Sequence, residues 1–166
     1  FLNSLHYTDG AIGDFMKEAK KRKWWDNTLV IIIADHGSSR PGNTEIWEKL
    51  KYHIPMIWLG GALNVRDTII PNLASQTDIA ATLLSQLGIQ NNDFKFSKDI
   101  LSGSYVPYAF FTFSGGFGFL KPGTFLSFNT ITNTYLQLAP QTDSLDEKQG
   151  KAYLQAIFTD VLNKNK

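Results

Sequence analysis

Apolar and polar positions along the chain follow two periods. Leu2, Leu5, Ile12, Phe15, Met16 and Ala19 recur at roughly helical spacing and predict an amphipathic helix reaching about Lys23. The unbroken apolar runs Thr28 to Ala34 and Ile54 to Gly61 predict two short strands of the kind buried on both faces. Between them, the polar loop through Pro41 and Gly42 leads into a short helix capped at about Asn43 or Thr44. "SQTDIAATLLSQLG" reads as a further helix, with Ser75 or Thr77 as its cap and Gly88 as its stop. Helix, strand, helix, strand, helix is the rhythm of an α/β layer, and it predicts a parallel sheet.

From Asp93 the pattern changes. "YVPYAFFTFSGG", "FGFLKPGTFLSF" and "NTYLQLA" are aromatic-rich runs broken by Gly-Gly, Pro-Gly and Asn-rich turns, which predict an antiparallel meander. Gly115, Gly116 and Gly118 do not open a helix after a strand, so they read as hairpin glycines and not as a dinucleotide fingerprint. A last helix is predicted from about Ser144 to Leu162, with Ala152, Leu154, Ile157, Phe158 and Val161 toward the core.

Composition narrows the classes. The 166 residues are 43% hydrophobic and 19% charged, which is globular. Sixteen basic against fifteen acidic residues leave +1, so nothing advertises a nucleic-acid surface. The run Lys17 to Lys23 reads as a solvated helix end favoured by the helix dipole. Without cysteine there is neither a disulfide framework nor a thiolate metal site. The longest apolar run, Leu29 to Ala34, is too short to cross a bilayer. A start at Phe1, directly in a helix, reads as a piece of a longer protein.

The candidate chemistry lies where the first strand ends, in "TLVIIIADHGSS". Functional groups in open α/β sheets gather beyond the strand ends. An aspartate there needs a cation, backbone N–H groups or a proton, because an unpaired buried carboxylate costs several kcal/mol or more. A divalent metal would satisfy Asp35 and use the neutral imidazole of His36 as well, and mixed Asp/His ligation suits zinc or manganese better than calcium. Neighbouring strand residues point to opposite faces, so both can reach one centre only if the backbone turns there, which Gly37 permits. In the competing reading Asp35 caps the next turn and His36 is a hydrogen-bonded loop residue.

Other residues carry weaker signals. Arg40 either meets a phosphate or sulfate oxygen with its planar fork or is a solvated loop arginine. His53 either reaches the same anion or anchors the entry to the second strand. Gly60 and Gly61 would share an edge with Asp35 if the strands are parallel. Asp78 reads as a first-turn residue complementing the helix dipole, His6 as surface, and Tyr52, Trp47 and Trp58 as core.

In order, "YTDGAIGDFM", "WWDNTLVIIIADHG", "YHIPMIWLGG" and "QTDIAATLLSQLG" resemble the C-terminal part of the alkaline phosphatase and sulfatase superfamily. The nearest branch is that of the lipoteichoic acid synthase-like sulfatases, with phosphoethanolamine transferases as near relatives. The resemblance covers Tyr7 to Gly88, and "AFFTFSGGFGFL" is similar to the branch's C-terminal strands. It implies an alkaline phosphatase-like three-layer α/β/α fold, present in part. Residues 1–92 would carry the metal motif of the catalytic core, and 93–166 the antiparallel strands and terminal helix packed on the same domain.

By the same resemblance, Asp35 and His36 are ligands of a catalytic divalent cation, manganese or zinc, with magnesium a third candidate. The family's acidic ligand and its threonine, serine or formylglycine nucleophile lie upstream, so this chain holds no catalytic nucleophile and is expected to be inactive alone. The implied reaction is transfer or hydrolysis of a phosphate or sulfate ester, including phosphoglycerol or phosphoethanolamine transfer. The implied partners are an ester substrate such as a lipid head group and the N-terminal half of the domain, not nucleic acid. The implied location is the extracytoplasmic face of the cytoplasmic membrane, with this portion itself soluble. The rival expectation is a non-catalytic α/β binding module whose Asp-His pair is a structural loop.

Overall fold

The structure, a computed structural model, describes residues 1–38, 42–65 and 67–164. The chain divides into two compact units, residues Phe1–Glu45 with Leu50–Ile69, and residues Ile46–Lys49 with Ile70–Lys166.

In the first unit, helix α1 spans Leu2–Ala19. It stops short of Lys23 because the following amides bond three residues back, Lys21 N to Glu18 O and Arg22 N to Ala19 O, winding the basic run into tight turns. Ala19 is its one buried residue, whereas Leu2, Leu5 and Phe15 of the apolar stripe are exposed. Strands β1 (Val30–Ile33) and β2 (Met56–Leu59) follow, with every β1 residue half-buried.

The two strands are antiparallel, pairing Val30 with Leu59 and Ile33 with Met56, which corrects the parallel expectation. The reason lies in their connection. A parallel pair needs a crossover, usually an α-helix. Here the helix expected from Asn43 or Thr44 is absent among the described residues, and a single 3₁₀ turn at Lys49–Tyr52 returns the chain to the edge it left.

The second unit is built on a four-stranded meander in the order β3 (Ala109–Phe113), β4 (Gly116–Lys121), β5 (Thr124–Asn129), β6 (Thr134–Leu138). Alternation sets its two faces. Phe117 and Phe119 of β4 lie opposite Phe128 and Leu126 of β5, and these four form the core, flanked by Tyr108, Phe110 and Leu154. On the other face, a Cβ at Gly118 would sit 2.1 Å from the Phe111 ring, so the aromatic strand demands glycine there. Gly115, at φ +79°, makes the hairpin.

Helix α3 (Ser144–Lys164) covers the Phe117 face. Its start is fixed reciprocally: the Asp143 carboxylate accepts the N–H groups of Leu145 and Asp146, while Asp146 accepts that of Asp143. Gly150 is buried because any side chain there would strike Phe117. Of the residues expected to face the core, Leu154 and Ile157 are half-buried but Ala152, Phe158 and Val161 are exposed. The C-terminal turns meet the connection before the meander instead, where Lys95 Nζ donates to Asp160 Oδ1 at 3.0 Å.

Helix α2 (Asp78–Gln86) ends before Gly88, which takes φ +67° as the sequence suggested. The connection that follows is held by side chains to α2 and to the segment that precedes it. Asn72 Nδ2 donates to Ile100 O, Ile100 N donates to Thr82 Oγ1, and Tyr105 Oη donates to Leu73 O.

Candidate functional site

Asp35 and His36 stand just beyond β1, with side chains 88% and 80% exposed. Their backbone does turn. One carboxylate oxygen, Oδ1, accepts the His36 N–H at 2.8 Å, which pins the aspartate rotor. The ring atom Nδ1 of His36 lies 2.8 Å from Gly37 O. The remaining atoms, Asp35 Oδ2 and His36 Nε2, converge to 3.6 Å.

That separation can be tested against coordination geometry. Metal–N and metal–O bonds of about 2.0–2.2 Å put neighbouring ligand atoms about 3.0–3.6 Å apart for octahedral to tetrahedral angles. At 3.6 Å the pair lies at the wide, tetrahedral limit of that range. No third His, Asp or Glu completes a cluster among the described residues.

The antiparallel register reorganises the neighbourhood. With Ile33 opposite Met56, the residues leaving β1 run beside those entering β2, so His53 arrives on the edge that carries Asp35 and His36. Its imidazole is exposed and its backbone N–H donates to Leu50 O at 3.3 Å. Gly60 and Gly61 move to the opposite edge: a Cβ at Gly60 would lie 2.0 Å from Thr28 O, and one at Gly61 2.4 Å from Asp26 Cα. Arg40 lies outside the described residues. Trp47, Tyr52 and Trp58 are half-buried and His6 is exposed.

Sequence reasoning passed over a second charged centre. Asp78 stands in the first turn of α2 as the sequence suggested, but at 1% exposure it is buried. Its carboxylate accepts the Ser75 N–H at 2.9 Å, the Lys98 N–H at 2.9 Å and Lys98 Nζ at 3.0 Å. The ammonium of Lys98 sits 3.7 Å above the Tyr108 ring. Burial lowers the Lys98 pKa, and Asp78 pulls it back up. A carboxylate so fully engaged is a structural pin, and only its Thr-Asp position before a helix hinted at it.

The sulfatase family model matches residues 1–89. The chain is 26% identical over 151 residues to the lipoteichoic acid synthase-like protein YvgJ of Bacillus subtilis, covering 82% of this chain and 22% of that protein. It is 28% identical over 114 residues to lipoteichoic acid synthase 2 of the same organism, covering 61% of this chain and 18% of the relative. The chain thus spans about a fifth of the length of these curated relatives. Among solved structures, a protein in the alkaline phosphatase superfamily from Vibrio parahaemolyticus superposes with a TM-score of 0.74 at 24% identity, over 98% of this chain and 41% of that one. The fold is therefore the alkaline phosphatase-like α/β fold, present in part, with the antiparallel meander and terminal helix attached. Since the family match takes in more than half of its residues, the chain belongs to the sulfatase family.

Proposed function

We propose that this chain is the C-terminal portion of a metal-dependent phospho- or sulfo-ester transferase or hydrolase, and that Asp35 and His36 hold one side of its divalent ion. The convergence of Asp35 Oδ2 and His36 Nε2 to 3.6 Å carries this reading. Manganese or zinc suits the mixed oxygen and nitrogen donors, and magnesium is a third candidate. The chemistry such an ion supplies is Lewis-acid stabilisation of charge on the transferring oxygens.

The residues of this chain position and bind. Asp35 and His36 present one oxygen and one nitrogen, each steadied by a hydrogen bond on its other atom. His53, on the same edge, offers a donor to the ester's anionic oxygens, with Arg40 proposed for the same task. The nucleophile and the acidic ligand come from the rest of the domain, so the 166 residues alone turn nothing over. Phosphoglycerol or phosphoethanolamine transfer from a lipid head group, at the extracytoplasmic face of the membrane, is the proposed setting. Among the described residues no helix is long and apolar enough to cross a membrane, so anchoring would fall to other segments.

One observation favours the rival, a non-catalytic module: the bonds made by Asp35 Oδ1 and His36 Nδ1 run to adjacent residues, as in a structural loop. Mass spectrometry of the full-length protein after exposure to a phospholipid donor and manganese separates the two. The enzyme reading expects a covalent phosphorylated adduct in the native protein that Asp35→Asn and His36→Ala each abolish. An adduct untouched by both changes, or none with any ester donor, refutes it.

A further inference from the structure

The geometry points to Gly37 as a positioning residue for His36, fixing which imidazole nitrogen faces the ion. This rests on the metal reading of the site. A carbonyl oxygen can only accept, so the 2.8 Å contact between His36 Nδ1 and Gly37 O requires the proton on Nδ1. In the neutral ring Nε2 then keeps its lone pair, and it is the nitrogen 3.6 Å from Asp35 Oδ2. A histidine that ligates through one nitrogen is commonly oriented by a hydrogen bond from the other. Gly37 supplies that bond from the next residue in the chain, while Asp35 Oδ1 takes the His36 N–H at 2.8 Å.

Glycine is required for a second reason. A Cβ at position 37 would lie 1.7 Å from Lys51 O and 2.7 Å from Lys51 C, far inside contact distance and against backbone that cannot swing aside. The absent side chain lets the exit of β1 press on the turn that ends at Tyr52. That contact holds the Gly37 carbonyl in place and brings the chain into His53. A single residue thus sets the tautomer of one site histidine and the approach of the other.

The test is heteronuclear NMR on the 166-residue chain labelled with ¹⁵N-histidine, metal-free and at alkaline pH, with His36 assigned by comparison with His36→Gln. The expected pattern is a protonated Nδ1 and a bare Nε2, the reverse of the tautomer that dominates free neutral imidazole. Zinc titrated into the same sample should shift the Nε2 resonance. In Gly37→Ala the free-imidazole pattern should return and zinc affinity fall by about 10- to 100-fold. His36 protonated on Nε2 in the native chain overturns the proposal, and that readout needs no variant to fold. Zinc affinity unchanged in a folded Gly37→Ala overturns it too. If Nδ1 carries the proton but the full-length protein, with its remaining ligands present, takes up no zinc, the metal reading falls and the Gly37–His36 contact stands.

Discussion

Replacing Asp78 by asparagine tests whether a buried ion pair pins helix α2 to the connection that follows it. The substitution keeps the shape and removes the charge. It leaves the Lys98 ammonium, 18% exposed, without its counter-ion, and sets an amide NH₂ against donors that now face an oxygen. Breaking a buried pair from one side costs about 3–5 kcal/mol. The Tyr108 ring 3.7 Å from Lys98 Nζ still stabilises the cation, by about 0.5–2 kcal/mol. The net expectation is a loss of about 3 kcal/mol, a large share of the roughly 5–15 kcal/mol that holds a domain together. For a chain of this size that corresponds to a fall in Tm of about 6–12 °C. Thermal and urea unfolding followed by circular dichroism measure it. The double variant Asp78→Asn, Lys98→Met removes both charges and should recover part of the loss. A cost below about 1 kcal/mol for Asp78→Asn, or a double variant no more stable than the single one, would refute the pin.

Two further outcomes follow from the second unit. Phe117 is fully buried, stacks on Phe110 at 5.6 Å and contacts Phe128 at 5.8 Å, so Phe117→Ala should cost about 3–5 kcal/mol in urea denaturation. Burial alone would raise the Asp146 pKa, but the Lys121 ammonium and the Asp143 N–H hold it below the ordinary 3.8. A carboxylate lowered by folding stabilises above its unfolded value and loses that contribution as pH falls through the folded one. Stability should therefore drop as pH falls below about 3.8, and Lys121→Met should flatten that part of a pH titration of Tm.

Much of the fold is legible in the sequence because burial writes periodic patterns. The β1 and β2 runs, the Gly88 stop and the aromatic meander all carried such patterns, and the strands and the three long helices stand near where they were read, whereas the short helix expected from Asn43 or Thr44 is absent among the described residues. Strand direction did not. A continuous apolar run says that both faces are covered without saying which way the neighbour runs, and the deciding feature was a loop with no α-helix in it. Phe158 and Val161 are exposed although they lie on the apolar stripe of α3, since periodicity marks a stripe but not what packs against each of its turns. At the site, Asp35 and His36 were readable because a carboxylate and an imidazole end a core strand. His53 joins them through antiparallel register, which the sequence does not display. Asp78 sits in the first turn as read, but its buried partner Lys98 was not legible, because a single first-turn aspartate looks the same whether it faces water or a buried lysine.

Anomalous diffraction at the zinc edge, from crystals of the full-length protein equilibrated with saturating zinc, tests the central claim most directly. The account predicts a peak about 2.0–2.2 Å from both Asp35 Oδ2 and His36 Nε2. A strand exit without an ion there, with the two side chains turned apart and each bonded to protein groups, would contradict it.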